Sequence, residues 1–200
     1  MADFNTMLPS GVDIQAIEFK SNQPTVRTQS LSGRTQTRTF GGQVWSARIE
    51  MPPLTQTELR KVYAFLVKQK GSASTFTIAP FNLKQVTGTP SATEDIKATT
   101  SSAQKLVGST SVEMTNQNKF FAGDMIKFSN HTKAYMVTAD QGSDDTVFFE
   151  PGLTTAITDS HNVLSGANFD LTVRLEGNDF TYKTGKDLYS NLKFDIVEAI

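Results

Sequence analysis

The sequence contains no cysteine, so neither disulfide bonds nor thiolate chemistry is available to it. That absence fits a protein made in a reducing cytoplasm. No apolar run approaches the roughly 20 residues of a membrane-spanning helix. The N-terminal residues also lack the basic segment and apolar core of a secretory signal, so none is expected.

Neither positive nor negative charge is in excess, because the chain has 19 Lys and Arg and 20 Asp and Glu. The net charge of −1 predicts neither a strongly basic nucleic-acid binder nor an acidic tail. What the chain does have is 14 phenylalanines, much Thr and Ser, and few segments with helical periodicity. This composition favours a mainly β protein, and 200 residues can form one domain or two small ones.

One stretch predicts a strand followed by the only substantial helix. Residues 43–51 alternate apolar and polar side chains, which is typical of a half-buried strand, and two prolines end it. Thr55 and Glu58 then fit a capping box at the start of a helix over about 55–70. Gly71 is expected to stop that helix. The predicted apolar stripe comprises Leu59, Val62, Tyr63, Leu66 and Val67.

A polar segment over residues 30–42 has no apolar face, and glycines at both ends can act as hinges. It is interpreted either as a solvated hairpin or as an arm that becomes ordered against a neighbouring subunit. The residues predicted to make that contact are Arg34, Thr35, Thr37 and Arg38.

Short strands follow at close spacing, which suggests a small barrel of the oligonucleotide/oligosaccharide-binding (OB) type over residues 86–166. The two alternating strands after residue 167 need a sheet to join, and we expect them to pair with strands before residue 85. The prediction is therefore a β-sandwich from residues 1–85 and 167–200, with an inserted barrel from 86–166. The barrel strands are predicted at residues 105–107, 111–115, 124–129, 133–138 and 145–150.

Charge separates the two predicted units. The inserted segment has five lysines, no arginine and nine acidic residues, so its net charge is −4, while the remainder carries +3. An acidic segment without arginine disfavours phosphate-backbone binding, although its aromatic rings leave carbohydrate binding as an alternative.

Residues for catalysis are hard to assemble from this sequence. His131 and His161 fall in turn-like polar segments, which are more often solvated turns than a shared metal site or general base. Asp144 and Asp145 lack the spacing of a calcium-binding loop, and Asp124 with Glu150 is a weak carboxylate pair. No catalytic, cofactor-binding or metal-binding residue is predicted, and the protein is not expected to be an enzyme.

Trp45, the only tryptophan, lies on the same strand face as Ile49. It is predicted to pack against the helix, with a role as an interface anchor as the alternative.

A resemblance to a known protein family rests on four parts of the sequence. They are MPPLTQTELRKVYAFLVKQKG with STFTIAP, AGDMIKFSNHTKAYMVT, FFEPGL and the C-terminal strand pair. The chain resembles the distal tail proteins of long-tailed bacteriophages. More narrowly, it resembles the subtype with an OB-type barrel inserted in a tail-tube-like β-sandwich. No large C-terminal extension for holding receptor-binding proteins is expected, which is a departure from the family.

The resemblance implies a hexameric ring in the virion that joins the tail tube to the baseplate or tip. The sandwich domains would line the DNA channel without sequence-specific contact, and the barrels would project outward. The implied partners are further copies of the chain, tail-tube proteins and baseplate or hub proteins, with no membrane and no cofactor. The insert is then available to contact a host glycan or a second ring. A tail-tube or terminator protein, or a carbohydrate-binding module, remains the alternative.

Overall fold

The computed structural model describes residues 1–8, 12–39, 41–90, 93–96, 104–115, 119–143, 145–178, 181 and 189–200. The chain is mainly β, as its composition predicts. Among these described residues, no helix is both long enough and apolar enough to cross a membrane.

Strands and helices are numbered in chain order. The first strands are β1 Ala2–Asp3, β2 Ala16–Asn22, β3 Thr25–Gln29, β4 Thr35–Thr39, β5 Val44–Glu50, β6 Leu54–Thr55 and β7 Phe76–Ile78. Next come β8 Thr93–Asp95, β9 Gln104–Lys105, β10 Ser111–Glu113, β11 Met125–Phe128, β12 Ala134–Val137, β13 Thr146–Glu150, β14 Ile157–Thr158 and β15 Asn162–Leu164. The last are β16 Leu171–Leu175, β17 Tyr189–Ser190 and β18 Lys193–Glu198. The helices are α1 Phe4–Met7, α2 Gln56–Lys68 and α3 Phe81–Lys84, with 3-10 turns at Gly71–Ala73 and Gly166–Asn168.

The main sheet has six strands in the order β1-β7-β16-β18-β5-β2. Strand β16 pairs with β7 and β18, and β18 pairs with β5. The C-terminal strands therefore complete a sheet begun by the N-terminal ones, which confirms the predicted pairing with strands before residue 85. The domain boundaries at 85/86 and 166/167 stay predictions, as does the finer description of this unit as a β-sandwich.

The residues between β7 and β16, called the insert below, form a second six-stranded sheet in the order β10-β13-β12-β11-β15-β8. All five predicted strands are present here or in the β9–β14 ribbon. Strands β8 and β15 were missed because each has three residues and one buried side chain, too short for a visible alternation. An isolated bridge joins Ile96 to Met114 and links the ends of β8 and β10, the two outer strands.

Helix α2 begins where the sequence predicts. The Thr55 hydroxyl accepts from the Glu58 amide at 3.4 Å, and the Thr55 amide donates to Glu58 Oε2 at 2.9 Å. These contacts form the predicted capping box, and the hydrogen bonds from Thr55 lower the pKa of the Glu58 carboxyl.

The end of the helix differs slightly from the prediction. Lys70, not Gly71, is the first residue with a left-handed backbone, at φ 56°. Gly71 follows at φ 66°, and a Cβ there would lie 2.6 Å from Asn178 Oδ1. Glycine is therefore required at position 71 by both its conformation and its neighbour.

The buried stripe of α2 is rotated relative to the predicted one. Leu59, Val62, Phe65 and Leu66 are buried, whereas Val67 is 51% exposed. The rotation follows from α1, which places the Phe4 ring 5.4 Å from that of Phe65. Burial of a second aromatic ring there outweighs burial of the smaller Val67.

We expect Thr55→Ala to lower the free energy of unfolding by about 1 kcal/mol, because the Glu58 amide loses its cap. Thr57→Ala, an exposed change in the same first turn, should have little effect. Urea unfolding of both variants measures the difference, and equal stabilities would show that the box contributes nothing.

Candidate assembly interface

The insert packs on the same face of the main sheet as helix α2. Along β5 that face presents Trp45, Ala47 and Ile49, all buried. Met125 and Ala134 of the insert belong to the same apolar cluster as these residues and the buried side chains of α2. One end of the sheet face is therefore covered by the helix and the other by the insert.

A buried ammonium group lies at the centre of this junction. Lys133 Nζ donates to Gln43 O at 2.7 Å, to Gln43 Oε1 at 2.8 Å and to Glu198 Oε2 at 2.5 Å. The Lys133 side chain is fully buried, and burial lowers the pKa of its amine against the opposing effect of Glu198. All three donors of the ammonium are satisfied, as a buried charge requires.

The Glu198 carboxylate also accepts hydrogen bonds from backbone amides on both sides of the junction. Its Oε1 accepts from the Ala134 amide at 2.7 Å, and its Oε2 accepts from the Trp45 amide at 3.2 Å. Around this group, the Thr132 hydroxyl donates to the Ala199 carbonyl at 3.1 Å. The polar contacts therefore fix both the position and the direction of β12 against β5 and β18.

The predicted packing of Trp45 against the helix is wrong. Its ring stacks on Phe19 at 4.8 Å between centroids, and its indole Nε1 donates to the Ala134 carbonyl at 2.9 Å. Alternation assigns the correct face of β5 but not the position along it. Trp45 stands at the end covered by the insert, while Ile49 lies toward the helix.

The polar segment forms a hairpin, β3–β4, called the arm below (residues 25–39). It starts five residues earlier than the predicted segment, and all ten strand residues are exposed. Its register places Thr35 opposite Gln29 and Thr37 opposite Arg27, so both threonines share one face.

The other two predicted contact residues lie elsewhere on the arm. Arg38 pairs with Val26 on the opposite face, and Arg34 is at the turn, where its carbonyl accepts from the Ser30 amide at 2.9 Å. The structure therefore brings together two of the four predicted residues. Sequence reasoning missed Leu31, a lone apolar residue at the tip that is fully exposed.

A groove opens where the base of the arm meets the insert. It has a volume of about 390 Å³ and lies between the arm base and the loop that follows β13. The lining residues include Gln23, Gly41, Gly42, Val107, Glu150 and Pro151. Gln43, which Lys133 holds, forms part of the same wall, so the buried cluster and the groove are adjacent.

His131 is held between two neighbouring side chains. Its Nδ1 contacts Asn130 Oδ1 at 2.7 Å, and its Nε2 contacts the Tyr135 hydroxyl at 2.8 Å. Burial, with smaller effects from His161 and Lys127, lowers the pKa of His131 to about 4. Both ring nitrogens are therefore occupied by structural hydrogen bonds.

The other candidate residues also have structural settings. The Asp124 carboxylate is buried and accepts from the amides of Thr87 at 2.7 Å and Phe121 at 2.9 Å. Asp144 lies outside the described residues. Within the described ranges, no group of three or more metal-binding side chains is found.

Neither protein-family models nor curated proteins give a match to this chain.

We expect Lys133→Met to lower the free energy of unfolding by about 3–5 kcal/mol, because it leaves the Glu198 carboxylate buried without its cation. Lys193→Met is the matched control. It removes a comparable but exposed pair, Lys193 with Glu50 at 2.5 Å, and should cost less than about 1 kcal/mol. Similar losses in chemical denaturation would contradict a special role for the buried pair.

Stability should also depend on His131 in acid. Because its pKa is about 4 in the folded protein against 6.5 when unperturbed, the unfolded chain binds this proton more readily between those values. The contribution is therefore complete above pH 6.5 and is lost as pH falls through 4.

For this half-buried ring the loss is on the order of 1–2 kcal/mol. Urea unfolding between pH 4 and 7 should show the free energy of unfolding falling as pH falls, for the parent and for His161→Gln. The fall should be smaller for His131→Gln. An unchanged slope in His131→Gln would assign the acid sensitivity to other groups.

Proposed function

We propose that this protein is a structural virion protein that forms a ring, most simply a hexamer, at the distal end of a phage tail. In that position it joins the tail tube to the baseplate or tip and lines the passage for DNA. The observation that carries the proposal is the main sheet itself. Its strands β16 and β18 lie between β7 and β5, so the insert leaves one sheet and returns to it.

That organisation supports the proposed subtype, in which an OB-like barrel would be inserted in a tail-tube-like β-sandwich. The Ile96–Met114 bridge between the outer strands of the insert supports the barrel. Helix α2, which packs on one face of the main sheet, also supports the proposed arrangement.

A free sheet edge supports assembly into a ring. Strand β2 has seven residues, pairs with β5 on one side and has no partner on the other side in the described part of the chain. Such an edge is a template for pairing with another chain. A contact between unlike surfaces of successive copies closes into a ring when its rotation permits.

The charged face of β5 and β18, opposite the one covered by α2 and the insert, supports a channel wall. Arg48 Nε pairs with Asp195 at 2.8 Å, and this contact lowers the pKa of the Asp195 carboxyl. Lys193 and Glu50 form a second cross-strand pair beside it on the same face. Alternating charges cancel locally, so a passing phosphate backbone meets no strong attraction.

The proposal is of a structural role rather than an enzymatic one, with no cofactor. It is supported by the settings of His131 and Asp124, whose polar atoms are engaged by neighbouring groups. The proposed partners are further copies of the chain, the tail tube above the ring, and baseplate or hub proteins below it. DNA would pass without sequence-specific contact.

The test is assembly of the purified protein with and without the arm. Replacing residues 24–42 by Asn-Gly keeps Gln43 and its bonds to Lys133, so a folded monomer is expected. The parent should form rings by mass photometry and electron microscopy, and the arm deletion should not.

Val67→Ser, an exposed change on α2, is the control that should leave rings intact. A parent that stays monomeric at high concentration overturns the ring, and long tubes instead of rings would favour a tube protein. Rings formed by the deletion variant would show that the arm is not the joint.

A further inference from the structure

We propose that the tip of the arm of one copy docks into the groove at the base of the arm of the next copy. Leu31 enters the apolar part of that groove, and Arg34 faces the Glu150 carboxylate. This inference rests on the proposed ring and names the two surfaces that join its subunits.

The arm tip has the properties of an anchor. Leu31 is fully exposed on a hairpin whose ten strand residues are also exposed. The turn beneath it is closed by two backbone hydrogen bonds of 2.9 Å, from Ser30 to Arg34 and from Gly33 to Ser30. An apolar side chain on a preformed turn loses little conformational entropy when it binds.

The groove has room for a turn and an apolar wall to receive Leu31. Val107 is 64% exposed at its rim, and half-buried Pro151 contributes further apolar surface. Glycines line both sides, and a Cβ at Gly41, Gly42 or Gly108 would meet nothing within 4 Å. Walls without side chains let the backbone of an incoming turn come near.

The occupant must come from another copy. Each strand of the arm has five residues, which spans roughly 17 Å, so the tip cannot reach the groove at its own base. Tip and groove are unlike surfaces of the same chain. When the tip of each copy binds the groove of the next, the same contact repeats from copy to copy, as a closed ring requires.

Charge favours the same pairing. Residues 24–42 contain three arginines and no acidic residue, so the arm carries +3, whereas the insert carries −4. Glu150 is exposed and lies in the groove wall. Complementary charges steer the two surfaces together and fix their register.

The chain has no cysteine, so introduced thiols report contacts without background. Leu31→Cys and Val107→Cys copies, prepared separately and mixed under assembly conditions, should give covalent dimers with a short bismaleimide. Each variant alone should give few. Leu31→Cys mixed with Val67→Cys is the control for random collision, since Val67 on α2 is 51% exposed against 64% for Val107.

Charge reversal provides a second and independent measurement. Arg34→Glu and Glu150→Arg should each raise the concentration needed for ring formation by about tenfold, and the double variant should restore it. Asp140→Arg also reverses an exposed acidic residue of the insert, but outside the groove, and should not rescue Arg34→Glu.

The outcomes separate the two proposals. A parent protein without rings overturns the proposed function and the docking with it. Rings that show neither the Leu31–Val107 cross-link nor the charge rescue overturn the docking alone. Equal cross-linking to Val67 does the same. If Arg34→Glu abolishes binding of a DNA oligonucleotide but leaves rings unchanged, the arm is a nucleic-acid surface and the docking is wrong.

Discussion

The structure depends on one buried ammonium group, that of Lys133. It joins the insert to Gln43, 90 residues earlier in the chain, and to Glu198, 65 residues later. A buried ion pair of this kind adds little net stability compared with apolar packing, but an arrangement that leaves either charge unpaired is strongly penalised. Its effect is therefore to exclude other placements of the insert on the main sheet.

The apolar contacts around this group hold the insert against the main sheet, and the ion pair sets their relative position. Met125 and Ala134 are part of the cluster under the main sheet, while the remaining buried side chains of the insert form a separate core. That second core is built from rings packed edge to face, including Phe128, Tyr135 and Phe149. The insert therefore has its own packed interior and also shares one wall with the main sheet.

Local and periodic features could be predicted from the sequence. The capping box of α2 depends on residues three apart, and the alternation along β16 and β18 requires a sheet to receive them. Details set by distant neighbours could not be predicted. The helix stripe shifted to Phe65 because Phe4 packs there, and Trp45 packs at the insert because alternation does not locate a residue along its strand.

The sequence of β18 contains one indication of the junction, an acidic residue on its apolar face. Glu198 follows Phe194 and Ile196 on the apolar face of β18, and a carboxylate in that position requires a buried partner. Sequence spacing cannot identify Lys133 as that partner.

Two residues separate β2 from β3, whereas four separate β4 from β5. The arm thus continues the β2–β5 hairpin across a kink that contains Gly41 and Gly42, both with positive φ. Gln43 comes next and is held rigidly by Lys133, so any swing of the arm must pivot within those two glycines. The arm can therefore change direction at this kink while Gln43 stays bound to the insert.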